Sequence, residues 1–263
     1  MSKNQPIGVF DSGSGGISVL RAFRHVMPQE HYFYFGDHKN LPYGEKSHEE
    51  IRTLTISACD AMAAQSLKAL VIACNSASTA ALDKLRSRYP IPVLGIEPPV
   101  AQAAELPGTG SFLVMATTAT LASPRFQSLA SPFGDRVIPL PCPGLVELIE
   151  AEDTAGQKEY LRHLFEAVCI EDVDALVLAC THFPLIKDTI TQAFQKPVSI
   201  IDGYKRAAES LKALLKIARL INEPGQTGQV SLTTSGDAEI VARLTRFLLA
   251  RPGFIQPDNP GDG

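Results

Sequence analysis

The 263-residue chain lacks the marks of several protein classes. Its five cysteines are an odd number, with no CxxC pair and no Cys–His cluster at zinc spacing, which argues against a disulfide scaffold or a structural zinc site. No run approaches the ~18 apolar residues of a transmembrane helix, and the start, MSKNQPIGVF, lacks the apolar stretch of a signal peptide. There is no basic excess. With 24 Lys and Arg against 28 Asp and Glu, the net charge of −4 favours neither nucleic acid nor an anionic membrane. Neither GxGxxG spacing nor the Gly-Lys-Ser/Thr of a Walker loop is present, which leaves little case for a nucleotide site. The expectation is a cytoplasmic protein without nucleic-acid, membrane or metal partners.

What is present is an ordinary globular balance, 45% hydrophobic and 20% charged, over a length that suits two domains or one large one. Short apolar runs at Ile7–Phe10, Tyr32–Phe35, Ala69–Ala73, Val93–Ile96, Phe112–Met115, Val137–Leu140, Ala175–Ala179 and Val198–Ile201 read as strands covered on both faces, the habit of parallel sheets. Helical spacing fills Ser47–Lys68, Ser76–Tyr89, Gln157–Ile170 and Tyr204–Asn222; a late strand, Val230–Thr233, precedes a helix at Asp237–Leu249. Strand–helix alternation predicts an α/β fold with mainly parallel sheets. The Pro-, Gly- and Asp-rich segment Arg251–Gly263 reads as an exposed end.

The chain repeats itself. Ala69-Leu-Val-Ile-Ala-Cys74 and Ala175-Leu-Val-Leu-Ala-Cys180 stand 106 residues apart, each a buried strand ending in cysteine. Val9-Phe10-Asp11-Ser12 aligns with Val114-Met115-Ala116-Thr117 at nearly the same offset. One cysteine is most simply a buried small hydrophobe, but a matched pair at equivalent strand ends points to a duplicated unit offering a thiol from each half, at the sheet edge where open α/β folds place their sites. A helix start after each cysteine is expected to favour its thiolate and lower its pKa below the usual ~8.5. Two thiols facing one cleft can remove a proton from one face of a carbon and return one to the other, the device of a two-base racemase.

Other segments are less specific. The glycines of Asp11-Ser12-Gly13-Ser14-Gly15-Gly16 suit either a tight turn or an anion cradle. Leu41-Pro42-Tyr43-Gly44 reads as a rigid turn, with Tyr43 either lining a site or covering the core. His182 is the one histidine beside a candidate cysteine, while His25, His31, His38, His48 and His163 read as ordinary solvated or partly buried positions. Glu147 and Glu150, three apart on a short helix, read as solvated carboxylates. No lysine stands at a strand-end position, so nothing requires a pyridoxal phosphate cofactor.

Taken together, FDSGSGG, YFGD with LPYG, IACNSAS, GIEP, ATTATLAS, CPGLVELIE, LACTHFPLI, the Ile201-Asp202-Gly203 segment and TSGDAE resemble the cofactor-independent glutamate racemases of the aspartate/glutamate racemase superfamily. The resemblance spans most of the chain. It implies two similar α/β domains, each with a mainly parallel sheet flanked by helices and the active site in the cleft between them. The first would comprise residues 1–96 plus 205–263, the second residues 97–204. It implies Cys74 and Cys180 as the acid–base pair on opposite sides of the substrate α-carbon, Asp11 assisting Cys74, and His182 and Glu150 assisting Cys180. Asp11, Ser12, Tyr43, Gly44, Asn75, Ser76, Thr181 and His182 match positions that hold the substrate's amino and carboxylate groups, and Thr117 and Thr120 two further contacts. Donors on Asn75, Ser76 and Thr181 are expected to screen the developing negative charge. No cofactor is implied; the partners are glutamate and a second copy in a homodimer, and the product D-glutamate would feed a bacterial cell-wall precursor. Ser76 stands where threonine is usual, Ser14 replaces a commonly apolar residue and Ala119 a usual glycine. Some relatives carry an N-terminal extension used for activation by a cell-wall precursor; with six residues before the first strand, that regulation is not expected here.

Three alternatives stay open on sequence grounds: the same fold acting on aspartate or another amino acid, a cysteine hydrolase built on Cys180 and His182, and an amino-acid-binding protein without turnover.

Overall fold

The computed structural model describes residues 2–108, 110–168, 172–225 and 227–249. Nine strands are found among them: β1 (Ile7–Asp11), β2 (Tyr32–Gly36), β3 (Ala69–Ile72), β4 (Val93–Gly95), β5 (Ser111–Ala116), β6 (Val137–Pro141), β7 (Val173–Ala179), β8 (Ser199–Ile201) and β9 (Val230–Thr234). All the expected strands are present, with ends moved by one or two residues. They form two sheets, ordered β4-β3-β1-β2-β9 and β6-β5-β7-β8, and each pairing is parallel. The intervening helices are α1 (Gly16–Val26), α2 (His48–Ala63), α3 (Asn75–Arg88), α4 (Val100–Ala104), α5 (Thr118–Ala122), α6 (Pro124–Ala130), α7 (Leu145–Glu150), α8 (Thr154–Glu166), α9 (Lys187–Phe194), α10 (Tyr204–Ile217) and α11 (Ala238–Leu249).

The repeat seen in the sequence is a repeat of topology. The first sheet contains the order β4-β3-β1-β2, and the second, taken from its other edge, runs β8-β7-β5-β6. The register follows: Val9 lies beside Val71, and Val114 beside Val177. β9 has no counterpart in the second sheet.

Successive side chains of a strand point to opposite faces, so continuous apolar runs place core on both sides of each sheet. Ile7 and Val9 pack with Leu20 and Phe23 of α1 and with Leu211 and Leu215 of α10. Phe10, Leu70 and Ile72 face the other way, onto Ile51 and Met62 of α2 and Leu85 of α3. In the second sheet, Leu113, Met115 and Leu178 meet Leu161, Phe165 and Phe194 from α8 and α9, while Val114 and Val177 meet Val100 and Phe126. Each fully buried side chain of this kind contributes about 1.5–3 kcal/mol. No helix among the described residues is long and apolar enough to cross a membrane.

Two helices stop earlier than their apolar spacing suggests. α2 ends at Ala63 and α10 at Ile217, and each is followed by a left-handed residue, Ser66 (φ 52°) and Arg219 (φ 56°). Such a reversal is usually marked by glycine, and neither position carries one. Leu67 and Leu220 then re-enter the core from outside the helix. α8 begins at Thr154, where Asp153 accepts from the Gly156 amide at 2.9 Å. The expected end of that helix, Cys169–Ile170, and the segment Arg251–Gly263 lie outside the described residues.

Beneath the amino end of β3, the Lys68 ammonium is fully buried against Glu30. It also donates to the carbonyls of Lys3 (2.5 Å) and Leu220 (2.9 Å), and Glu30 accepts from the Asn222 amide at 2.8 Å. One ion pair thus ties the amino terminus to the segment that leads into β9. Removing one partner leaves the other charge buried, so Lys68→Met is expected to lower the unfolding free energy by about 3–5 kcal/mol. Urea denaturation checks this, and the double change Lys68→Met/Glu30→Leu should recover much of the loss.

Candidate active site

Parallel strands deliver their carboxyl ends to one edge of a sheet, and here the two edges face each other. Asp11 ends β1, Cys74 follows β3, Thr117 follows β5 and Cys180 follows β7. Between them lies a narrow cavity. Ser12, Tyr43, Gly44, Cys74, Asn75 and Ser76 line it from the first half; Thr117, Val146, Ala179, Cys180, Thr181 and His182 line it from the second. Its free space is about 10 Å³, close to the minimum that one water needs. Asp11, Thr120 and Glu150 stand one contact behind this lining, bonded to Thr181, Ser76 and His182 respectively.

Cys74 occupies the cap position of α3, and the Ser12 hydroxyl donates to its sulfur at 3.4 Å. Burial, and then the nearby Asp11 carboxylate, push its thiol up to about 12, against the opposing pull of Ser12 and the Ala77 amide. The expectation that the helix start would lower this pKa is overturned: desolvation outweighs the helix end. Cys180 differs in setting. A 3₁₀ turn, Phe183–Ile186, follows it, and α9 begins only at Lys187, so it does not sit at an α-helix start as expected.

Behind Cys180 stands a charged pair. His182 Nδ1 lies 4.0 Å from the sulfur, and Nε2 donates to Glu150 Oε1 at 2.7 Å. Burial alone would lower the His182 pKa, but the Cys180 and Glu150 contacts outweigh it and hold the imidazole well above its ordinary value. Burial likewise opposes ionisation of Glu150, yet His182, the Ser14 amide and Arg243 keep its carboxyl below the usual carboxylate range. Glu150 is therefore not a solvated carboxylate, because α7 turns it inward; Glu147 is half-exposed.

Polar contacts join the halves. The Thr181 hydroxyl donates to Asp11 Oδ1 at 3.0 Å, and the Gly13 amide holds Oδ2 at 3.0 Å. Burial nevertheless raises the Asp11 pKa. Ser76 Oγ lies 2.9 Å from Thr117 Oγ1 and 3.1 Å from Thr120 Oγ1, a cluster of hydroxyls that satisfy one another. Two glycines permit the close approach: a Cβ at Gly15 would meet Thr181 Oγ1 at 2.5 Å, and one at Gly44 would meet Thr117 Cγ2 at 2.5 Å.

Three expectations change in detail. Asn75 donates its amide to the Ile96 carbonyl at 3.2 Å, so the group left over is its Oδ1, buried without a partner among the described residues. Asn75 thus presents an acceptor, suited to an ammonium, besides the second N–H of its amide. The Tyr43 ring borders the cavity, but its hydroxyl donates to Asp37 at 2.7 Å. The glycine-rich turn does cradle anions, and they are the protein's own: its amides serve Asp11 and, from Ser14 at 2.6 Å, Glu150.

Ser14, His38 and Arg243 were not legible as site residues. The Ser14 hydroxyl donates to Glu150 Oε2 (2.9 Å) and meets His38 Nε2 (3.0 Å), and Arg243 Nη2 reaches Glu150 Oε2 at 2.5 Å. Arg243 lies on α11, 93 residues beyond its partner, with no local motif to mark it.

Comparison with known proteins gives the family. The model of the Asp/Glu/Hydantoin racemase family matches residues 17–211. A glutamate racemase of Clostridium perfringens (strain 13) is 43% identical over 252 residues, covering 94% of this chain and 97% of its own. Among solved structures, glutamate racemase isoform RacE1 from Bacillus anthracis superposes with a TM-score of 0.83 at 29% identity, covering 93% of both chains. The glutamate racemase of Francisella tularensis, solved with D-glutamate, gives 0.81 at 28% identity and 94% of both chains. The chain therefore belongs to the Asp/Glu/Hydantoin racemase family and is, by its kinship with the glutamate racemases, an amino-acid isomerase.

Proposed function

We propose that the protein interconverts L- and D-glutamate without a cofactor, using Cys74 and Cys180 as the two proton-transferring groups, and that the D-glutamate supplies peptidoglycan synthesis in the cytoplasm. One observation carries this reading: two cysteines at equivalent ends of duplicated strands border the same narrow cavity. In this reading the chain acts as a homodimer, each protomer dividing into residues 1–96 plus 205–263 and residues 97–204.

The substrate's α-hydrogen is weakly acidic, so its removal needs a strong base and a screened product charge. One cysteine, as thiolate, takes the α-proton and becomes a thiol. The opposite thiol gives its proton to the other face of the carbanion and becomes the thiolate, so the protonation states are exchanged after each turnover. Ser12 orients Cys74, with the Asp11 charge beside it; His182, kept charged by Glu150, is in position to exchange a proton with Cys180. Asn75 Oδ1 meets the substrate ammonium. On substrate binding the hydroxyls of Ser76, Thr117 and Thr181 turn from their present partners to the carboxylate oxygens, supported by Thr120, while Tyr43 and Gly44 shape the wall. Among the described residues no lysine lines the cavity to carry an imine.

The first test is incubation with L-glutamate in heavy water without added cofactor, following the α-proton by NMR alongside optical rotation. Loss of both signals is expected; exchange only with aspartate would move the substrate assignment, and silence with every amino acid would leave a binding protein. Cys74→Ser and Cys180→Ser should each lower racemisation by about 10²–10⁴-fold.

The Cys74 shift gives a second prediction. A pKa raised by burial means that the thiol form persists upward from the ordinary thiol range until about pH 12. Iodoacetamide labelling of Cys74, followed by peptide mass spectrometry in the Cys180→Ser protein without substrate, should therefore be slow and show no inflection near pH 8. A half-maximal rate there would mean a solvated thiol.

A further inference from the structure

Four groups converge on Glu150 from three parts of the chain: His182 after β7, the amide and hydroxyl of Ser14 after β1, and Arg243 from α11. Arg243 binds it twice, through Nη2 to Oε2 at 2.5 Å and through Nη1 to the Glu150 backbone carbonyl at 2.8 Å. Its Nη2 also reaches Ser14 Oγ at 3.2 Å, and Ser14 in turn meets His38, whose Nδ1 lies 2.8 Å from Thr234 Oγ1. Planar two-point geometry of this kind fixes direction as well as charge.

The placement has a cost. Arg243 Nε is buried without a hydrogen-bond partner among the described residues, a penalty that a surface arginine avoids by facing water. The guanidinium is committed to Glu150 at the expense of its own Nε–H. It also spans the two halves, since α11 follows β9 of the first sheet and α7 belongs with the second. A nearby contact, Arg246 to Glu152 at 3.0 Å, is largely exposed and adds little.

We propose that Arg243 is a positioning residue of the racemase: it locks the Glu150 carboxylate and, through it, the plane of the His182 ring beside Cys180. Arg243 touches neither the cavity nor a cysteine. Its effect passes along Nη2–Oε2 and then Oε1–Nε2, so the His182 Nδ1 edge faces the sulfur only while both links hold. The proposal rests on the glutamate racemase reading for its kinetic arm but not for its structural one.

The test compares Arg243→Met, Arg243→Lys and Arg243→Ala with the wild type. Misaligning a catalytic group by about 1 Å costs on the order of 10²-fold, so Arg243→Met should lower kcat about 10–100-fold with KM changed less than about 3-fold. Arg243→Lys should fall between, and millimolar guanidinium should restore part of the activity of Arg243→Ala. The structural arm follows the Nε2 proton of His182 by NMR, assigned by its disappearance in His182→Asn. A downfield, slowly exchanging resonance is expected in the wild type and should be lost in Arg243→Met. Should Arg243→Met not fold, Ser14→Ala, at the same carboxylate, should give a smaller loss of the same kind. Wild-type kcat with an intact His182 resonance in Arg243→Met overturns the proposal, as does a loss that guanidinium never rescues while the resonance persists. A wild type inert toward glutamate overturns the activity reading instead, and the resonance comparison still decides the positioning.

Discussion

The proposed proton transfer asks a thiolate to hold its charge where little water competes for it, and the placement of both cysteines suits that demand. Parallel sheets bring strand ends, and with them Cys74 and Cys180, to the seam between two halves rather than to the surface. The hydroxyls of Ser76, Thr117 and Thr120 bind one another and need no solvent. Dryness has its own cost, because the Asp11 and Glu150 carboxylates share the enclosure. Both are met by the turn after β1, whose amides point at one and then the other. The glycines there serve the protein's internal anions before they serve any ligand.

The apolar core reaches the site, since Cys74 and Cys180 belong to two of its clusters, but much of what joins the halves is polar. Four clusters of buried hydrophobic residues fill the space between each sheet and its helices, whereas the seam is crossed by polar links such as Thr181 to Asp11, Ser76 to Thr117 and Arg243 to Glu150. A typical hydrogen bond contributes only about 0.5–1.5 kcal/mol net, far less than burying a set of leucines and valines. The polar links across the seam therefore contribute less than the cores that hold each half together.

The strands were legible because a parallel sheet covered on both faces leaves continuous apolar runs, and the repeat around Cys74 and Cys180 was legible because duplication preserves both sequence and topology. What escaped were consequences of tertiary burial. The helix start at Cys74 suggested a lowered pKa, but desolvation at a seam between two halves cannot be read from a local motif. Glu150 looked solvated on its own short helix until the rest of the chain enclosed it. Ser14 and Arg243 are joined across 229 residues, a distance over which no spacing rule operates. Ser66 and Arg219 end their helices in a backbone conformation that their side chains do not advertise.

The duplicated halves place unlike assistants behind like sulfur atoms: a hydroxyl at Cys74, an imidazolium–carboxylate pair at Cys180. Mirror-image amino acids have equal free energies in water, so an enzyme that interconverts them is bound to equal kcat/KM in both directions. The inequality of the two halves can then surface only as matched changes in kcat and KM. Whichever hand turns over faster must also saturate at the higher concentration.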